Sequence, residues 1–418
     1  MHFKFDSNTS KAIWIGGFAT LLASFQLVIF NSYVVIFLQE DLLTEIVLIT
    51  FIISLRNFLQ MFFRIPLGEL SQIIGRKPLI LTGHFCYTFA LGFLILASDW
   101  AFVFIATILV AFGMSAFWPS IFGYIADFTP NNFGRSNGRV FQLSDVGVII
   151  GSLLSKYILD SLHWELKELF FIIVILGFFS GIVSFLLLPE GLTDQKRKMV
   201  ENIPRELFQS FLFSFKSLIS ITRVNRLHEV YTFQIVLAFA EFMVTTFLPL
   251  FIVSQGYTRG SVAEIAFWAT FIIVWFKPSL GNLTDRIKFS SIISISLIII
   301  SLCILSFSII TNFWFIIIFY VILNAAIITG YTAENGEAAR RGPDYMRGAA
   351  LGALGFYVSF GRTVSTISLG PIWDIYGLIF VFQVTGVLIL AITIILFIIF
   401  RSKSSNGINS SNQASLKA

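Results

Sequence analysis

Long apolar segments, separated by short polar connections, make up most of this chain. The segments are continuous rather than alternating with a period of two, which predicts helices and argues against a transmembrane barrel. A helix that crosses a bilayer needs about 20 predominantly apolar residues. We therefore predict an all-α membrane protein with twelve transmembrane helices. The predicted helices are Ile13–Leu38, Ile46–Leu67, Leu79–Ala97, Ala101–Phe128, Gly138–Leu159, Leu169–Leu188, Glu229–Ser254, Val262–Leu280, Ser290–Ile310, Phe313–Glu337, Arg347–Gly370 and Leu378–Phe400.

The longest polar connection lies at mid-chain, after the sixth predicted helix. It contains a segment of amphipathic character at Glu206–Ile221 and a basic run that favours contact with anionic lipid headgroups. The Ser/Asn-rich end of the chain has the composition of a disordered tail. The predicted parts are an N-terminal six-helix bundle at 1–190, a cytoplasmic linker at 191–227, a C-terminal six-helix bundle at 228–401 and a disordered cytoplasmic tail at 402–418.

One basic, glycine-containing stretch occurs twice. Arg64–Leu81 joins the second and third predicted helices, and Lys277–Phe289 joins the eighth and ninth. Gly68 and Gly281 occupy equivalent places in the two copies, 213 positions apart (281 − 68). An internal repeat of this kind predicts two related six-helix halves, the architecture of an alternating-access transporter.

Composition and charge agree with a membrane location. The chain is 56% hydrophobic and 12% charged, whereas soluble domains have about 25% charged residues. With the N-terminus placed in the cytoplasm, the outer loops hold only Lys156, Lys167 and Arg259 among the basic residues. Positive charge concentrates on the cytoplasmic side of membrane proteins. We therefore expect a multi-pass protein of the cytoplasmic membrane with both termini in the cytoplasm, and the net charge of +5 reflects this topology, not nucleic-acid binding.

The repeated stretch carries a family signature, Gly-x-Leu-x-Asp-x-x-Gly-Arg-Lys. Gln72 stands where the signature has Asp. The matching residues of the first copy are Gly68, Leu70, Gly75, Arg76 and Lys77, and those of the second are Gly281, Leu283, Asp285 and Arg286. Further matches are Gly113 and Pro119 in the fourth helix and Arg135 in the loop after it. On these residues the chain resembles the major facilitator superfamily over Ile13–Phe400.

The resemblance implies two bundles around a central cavity. The first, fourth, seventh and tenth helices would line the cavity, and the second, fifth, eighth and eleventh would form the bundle interface and sides. The signature turn would act as a gate latch, with its acidic residue against the start of a helix in the other half. Since Gln72 is uncharged, we expect Asp285, facing Arg135 and Arg139, to hold most of the gate. The gating candidates are Gly68, Gln72, Gly75, Arg76, Lys77, Arg135, Asp285 and Arg286.

Charged residues inside predicted helices are candidates for function, because a charge at the helix centre costs about 2.5–3.5 kcal/mol even on the mildest scale. Arg56 and Arg362 would attract an anionic solute or hold a carboxylate of a proton site, or else form a structural ion pair. Glu241 and Asp145 are candidates for proton coupling, again with a structural pair as the alternative. Lys277, near a helix end, is expected to reach the lipid headgroups, as is Arg64.

Several other polar residues have an expected role. Glu334 and Glu337 are expected to pair with Arg340, Arg341 or the following loop. The neutral candidates lie on helices that the resemblance places around the cavity, and each would bind substrate or join two helices. These neutral candidates are Gln26, Asn31, Trp118, Asn324 and Tyr331.

Motifs for other chemistry are not found in the sequence. It has no nucleotide-binding fingerprint, no nucleophile–base constellation and no histidine or cysteine pair at metal-ligand spacing. We expect no enzyme activity, no cofactor, no metal and no nucleic-acid partner. The prediction is a monomeric secondary transporter of a small organic solute, coupled to protons and in contact with membrane lipid. Two alternatives stay open: an organic-anion importer or uniporter that uses Arg56 and Arg362, and a non-transporting membrane sensor.

Overall fold

Twelve long helices form the fold, and no strand occurs in the part of the chain that the structure describes. The computed structural model describes residues 7–129, 133–190, 205, 218, 220–342 and 347–415. The helices are α1 Ser7–Ile36, α2 Ile46–Ile73, α3 Arg76–Leu96, α4 Trp100–Phe128, α5 Phe133–Lys156, α6 Leu166–Leu187, α7 Leu227–Ser254, α8 Arg259–Arg286, α9 Phe289–Phe307, α10 Phe313–Arg341, α11 Arg347–Tyr376 and α12 Leu378–Ser415. Single π-helical turns extend α1 through Phe37–Asp41 and α5 through Tyr157–Ser161.

Several helices extend beyond their predicted ends. The second predicted helix ends at Leu67, but α2, which contains Pro66, continues to Ile73. Only two residues then separate α2 from α3, and the second copy of the stretch likewise leaves two residues between α8 and α9. Proline is tolerated inside a membrane helix because neighbouring groups satisfy the freed carbonyl. The repeated stretch is therefore mostly helix rather than loop.

The last helix, α12, continues to Ser415, and the disordered tail expected from composition stays a prediction. Extending an existing helix requires no new nucleation, so a polar sequence can continue one. Most of the predicted amphipathic segment of the linker lies outside the described residues.

The helices contact one another as two halves. Within the first half α1 packs on α5, α2 on α4, and α3 on both α4 and α6; within the second, α7 packs on α11, α8 on α10, and α9 on both α10 and α12. The halves meet through α2 with α11, α5 with α8 and α1 with α7. The α2–α11 and α5–α8 contacts are equivalent under the repeat, as expected for two related bundles.

The outer surface of the bundle is apolar. Large side chains such as Phe179, Leu186 and Trp275 are well exposed, which suits contact with lipid. In the described part of the chain, eleven helical segments are long and apolar enough to cross a membrane. The remaining helix, α11, has the length, with 30 residues, but its central part carries more polar side chains. The chain is a multi-pass helical membrane protein.

The two ends of the bundle differ in the connections they carry. One end, called the linker end, carries the α2–α3, α4–α5 and α6–α7 connections. The opposite end, called the far end, carries the α1–α2, α5–α6 and α7–α8 connections. The sequence predicts that the linker end faces the cytoplasm.

Candidate functional site

A central cavity of about 440 Å³ lies between the two halves, within the range of small-molecule sites. The resemblance implied that α1, α4, α7 and α10 line it, and all four do; α5, α8 and α11 reach it as well. Most of the remaining wall is apolar. The polar and charged residues of the wall are Ser24, Asn31, Ser32, Asp145, Thr245, Thr270, Lys277, Tyr320, Asn324 and Arg362.

Glu241, at the middle of α7, is held by side chains from two other helices. Nη2 of Arg362, on α11, donates to both carboxylate oxygens of Glu241, at 2.7 and 2.9 Å, and its Nε donates to Oε2 at 3.1 Å. Tyr331 of α10 donates its hydroxyl to the same Oε2 at 2.5 Å. Both charged groups line space between the halves. A bidentate arginine–carboxylate pair fixes geometry as well as charge, so this pair joins α7 to α11 at mid-height.

Arg56, on α2, is in a different situation from Arg362. Its side chain is 6% exposed, and it donates through Nη1 to Oδ1 of Asn31 on α1. Its Nε has no hydrogen-bond partner, and Arg56 forms no ion pair within the described part of the chain. Its guanidinium lies 5.3 Å from the centroid of the Phe242 ring, while that of Arg362 lies 5.8 Å from the same ring. Both guanidinium groups therefore lie near the same Phe242 ring.

Asp145 of α5 forms an ion pair with Lys277 of α8, across the boundary between the halves. Both residues line the central cavity. The expectation that Lys277 reaches the lipid headgroups is therefore wrong, because the Asp145 carboxylate compensates its charge. Arg64 of α2 likewise turns toward the other half and donates to the carbonyl of Gly355 on α11 at 3.3 Å.

The neutral candidates separate into two groups. Asn31, Trp118 and Asn324 line the cavity, and the Trp118 ring stacks on Phe141 at 5.9 Å. Gln26 does not reach the cavity.

Gln26 is fully buried in the first half, where its amide accepts from Thr88 at 3.0 Å and donates to Ser180 at 3.2 Å. It joins α1 to α3 and α6, so we leave it out of the proposed site. Tyr331 contributes through Glu241 rather than as part of the cavity wall.

The two glutamates near the linker end of α10 also differ. Glu337 pairs with Arg340 and Arg341 as expected. Glu334 does not: its side chain is fully buried, and neither carboxylate oxygen has a hydrogen-bond partner among the described residues. Periodicity alone could not separate them, because residues three apart lie on about the same face of a helix.

The signature turn is held within its own half. Arg76 bonds Asp127, at the end of α4, at 3.1 Å and Ser71 at 2.7 Å. The carboxylate of Glu190, after α6, accepts from the backbone N–H groups of Arg76 and Lys77 at 2.8 and 3.2 Å. It thereby caps the N-terminus of α3, where a negative charge is stabilising. Sequence reasoning missed this role of Glu190; the only signal was its position directly after a helix-ending proline.

The structure describes the surroundings of some of the other gating candidates and not of others. Gly75 has φ of 113°, and a Cβ there would collide with a Glu190 oxygen. Gly68 packs next to Pro119 of α4, and Gln72 and Arg286 are exposed. The side chains of Arg135 and Asp285 lie outside the described residues, so the asymmetry expected between Gln72 and Asp285 stays a prediction.

The fold and the cavity define a class of protein: a membrane transporter built from two six-helix halves. The family model described as Major Facilitator Superfamily matches residues 16–366. The chain belongs to this superfamily, whose members are transporters and not enzymes.

Known relatives agree with this assignment. The chain is 22% identical to an uncharacterised MFS-type transporter of Methanocaldococcus jannaschii over 344 residues, covering 80% of this chain and 84% of that one. It is 29% identical to the multidrug resistance protein MdtM of Escherichia coli K12 over 158 residues, which is 36% of this chain and 37% of that protein. A crystal structure of a POT family transporter bound to a thioalcohol-conjugated peptide superposes with a TM-score of 0.79 at 12% identity, covering 94% and 96% of the two chains. That likeness shows the fold.

Proposed function

We propose that this protein carries a small organic solute across the cytoplasmic membrane by proton-coupled alternating access. The observation that supports it most is the Glu241 carboxylate at mid-height, paired with Arg362 and bonded by Tyr331. The three side chains together join α7, α10 and α11 at the space between the halves. A proton that binds Glu241 removes the charge that compensates Arg362, so protonation changes the contacts among three helices around the cavity.

The ion pair of Asp145 and Lys277 supports a second part of the proposal. It crosses between α5 and α8, so a rocking motion that separates these helices has to break it. A proton on Asp145 would weaken the pair and favour that separation. Glu241 and Asp145 are therefore the two proposed proton-coupling residues.

Orientation and assembly complete the proposal. The excess of Lys and Arg in the connections of the linker end supports a cytoplasmic location for this end and for both chain termini. The cavity is formed by one chain, so a monomer suffices for transport.

Proteoliposomes test the coupling. A panel of labelled small organic solutes is screened by counterflow, and the best solute is then followed with and without a pH gradient. Glu241→Gln removes the titratable group but keeps a polar side chain of similar size. We expect this variant to retain exchange and to lose accumulation driven by the pH gradient.

Glu334→Gln is the matched control, since Glu334 is a buried carboxyl of the same half that has no ion pair within the described residues. It should keep the accumulation. Unchanged accumulation in Glu241→Gln would remove Glu241 from the mechanism, and absence of flux for every solute would favour a membrane sensor.

A further inference from the structure

The charges around the cavity do not balance. Its described charged lining residues are three basic groups, Arg56, Lys277 and Arg362, and two acidic groups, Asp145 and Glu241. Lys277 is paired with Asp145, and Arg362 with Glu241. One positive charge is left, on Arg56, and that side chain is 6% exposed. A buried charge without a counter-charge is unfavourable by several kcal/mol, so a bound anion would stabilise this state.

Unused hydrogen-bond donors lie at the same place. Besides Nε of Arg56, the side-chain nitrogen of the adjacent Asn57 is buried and has no hydrogen-bond partner among the described residues, and Asn57 is 1% exposed. Both residues line a small cavity of about 140 Å³ together with Asn31, Met114 and Phe242. Buried polar groups are almost always hydrogen-bonded in native proteins, so two unused donors side by side indicate a missing acceptor.

The small cavity adjoins the large one. Asn31, Met114, Thr245 and Arg362 line both. Away from these residues, much of the wall of the large cavity is apolar, with Leu27, Val148 and Ile265 among its side chains. A ligand that satisfies both regions has an anionic group at one end and an apolar body at the other.

We propose that the small cavity at Arg56 and Asn57 is the subsite for the carboxylate of an organic anion, whose apolar body occupies the central cavity. This inference rests on the proposed transport function and names its substrate class. Arg56, not Arg362, is the primary anion-binding residue, because the charge of Arg362 is already matched by Glu241. Asn31 positions the Arg56 guanidinium through its hydrogen bond.

Ligand-induced thermal stabilisation of the purified full-length protein tests the subsite, because a ligand that binds the folded state raises the apparent melting temperature. The probes are benzoate, its uncharged counterpart benzamide, the cation benzylammonium and inorganic sulfate, with several longer aryl carboxylates and their amides. We expect stabilisation by the carboxylates only. Charged hydrogen bonds contribute enough that Arg56→Gln should weaken the carboxylate affinity about tenfold or more.

Arg64→Gln is the matched control. Arg64 lies two turns further along α2 and bonds a backbone carbonyl instead of lining either cavity. It should leave the carboxylate affinity near that of the wild type. Arg56→Lys keeps the charge and should bind better than Arg56→Gln, and size-exclusion chromatography checks that each variant is folded.

Several outcomes overturn the subsite. These are equal stabilisation by each carboxylate and its amide, preference for the cation, equal stabilisation by sulfate, and unchanged carboxylate affinity in Arg56→Gln. The binding readout does not depend on flux. If the carboxylates fail to bind while Glu241→Gln still loses pH-driven accumulation of another solute, the proposed substrate class is rejected and the transport proposal is retained. If the carboxylates bind through Arg56 but no solute is moved, the anion subsite is retained and the transport proposal is rejected.

Discussion

Two arginines near mid-height show what decides the role of a charged residue in a membrane helix. Arg362 is paired with the Glu241 carboxylate, whereas Arg56 has only an amide oxygen as a partner among the described residues. The sequence identified both as candidates, because any charge at that depth needs a partner. It could not tell them apart, since the partner depends on how each helix is rotated and on which helix it faces.

Gly75, in the signature turn, is a second single residue whose surroundings determine its role, and its substitution tests this through stability. Gly75→Ala places a side chain at a positive φ and against the Glu190 carboxylate that caps α3. We expect a loss of about 1–3 kcal/mol in the free energy of unfolding, seen as a lower apparent melting temperature in nanodiscs.

Gly92→Ala is the control for that substitution. Gly92 lies within α3 itself, and a Cβ there would meet no atom within 4 Å. Because alanine favours helix over glycine, this variant should be neutral or slightly more stable. Equal destabilisation of both variants would show that the turn geometry is not what matters at Gly75.

At the scale of the elements, apolar segment length predicted all twelve helices that the described residues contain. Their ends were less predictable: α2 continues beyond Leu67 to Ile73, and α10 continues to Arg341 through a charged stretch. Helix ends depend on caps such as Asp99, whose carboxylate accepts from the Ala101 N–H at 2.7 Å, and on tertiary packing that polar sequence does not reveal. The contact of α5 with α8 was implied by the family resemblance, but the Asp145–Lys277 pair within it was not.

That contact between elements leads to a charge-exchange prediction. Asp145→Lys and Lys277→Asp each place two like charges at the boundary between the halves, and we expect each to lower transport strongly. The double exchange restores an ion pair of opposite direction, so it should recover part of the activity. Groups in contact show coupling energies of about 0.5–3 kcal/mol. A double variant no better than the worse single one would contradict a direct interaction.

At the scale of the whole molecule, the internal repeat predicted two related halves, and the structure adds how their far ends are joined. Arg259 of α8 bonds Glu40 and Asp41 beyond α1, and Lys156 of α5 pairs with Glu264 of α8. All of these contacts cross between the halves. They stabilise the conformation in which the far end is closed.

Removing the far-end contacts should favour the opposite conformation. Each partly exposed pair contributes about 0.2–1 kcal/mol, so the double variant Arg259→Gln/Lys156→Gln should raise the far-end-open population several-fold. Spin labels at Leu43 and Ile309, two highly exposed residues of different halves, report the far-end distance by double electron–electron resonance after Cys86 and Cys303 are replaced. Arg340→Gln removes an exposed pair within one helix and should leave the distance distribution unchanged. A distribution unaffected by the double variant would show that these pairs do not hold the far end closed.

The central claim is that Glu241 couples solute movement to protons, and proton movement itself tests it most directly. Proteoliposomes loaded with a pH indicator receive the transported solute on one side, with no imposed pH gradient and with the membrane potential clamped. The account predicts a solute-dependent change of internal pH for the wild type, and none for Glu241→Gln although that variant still exchanges the solute. Transport by the wild type without any proton movement, or an equal pH change in Glu241→Gln, would contradict it.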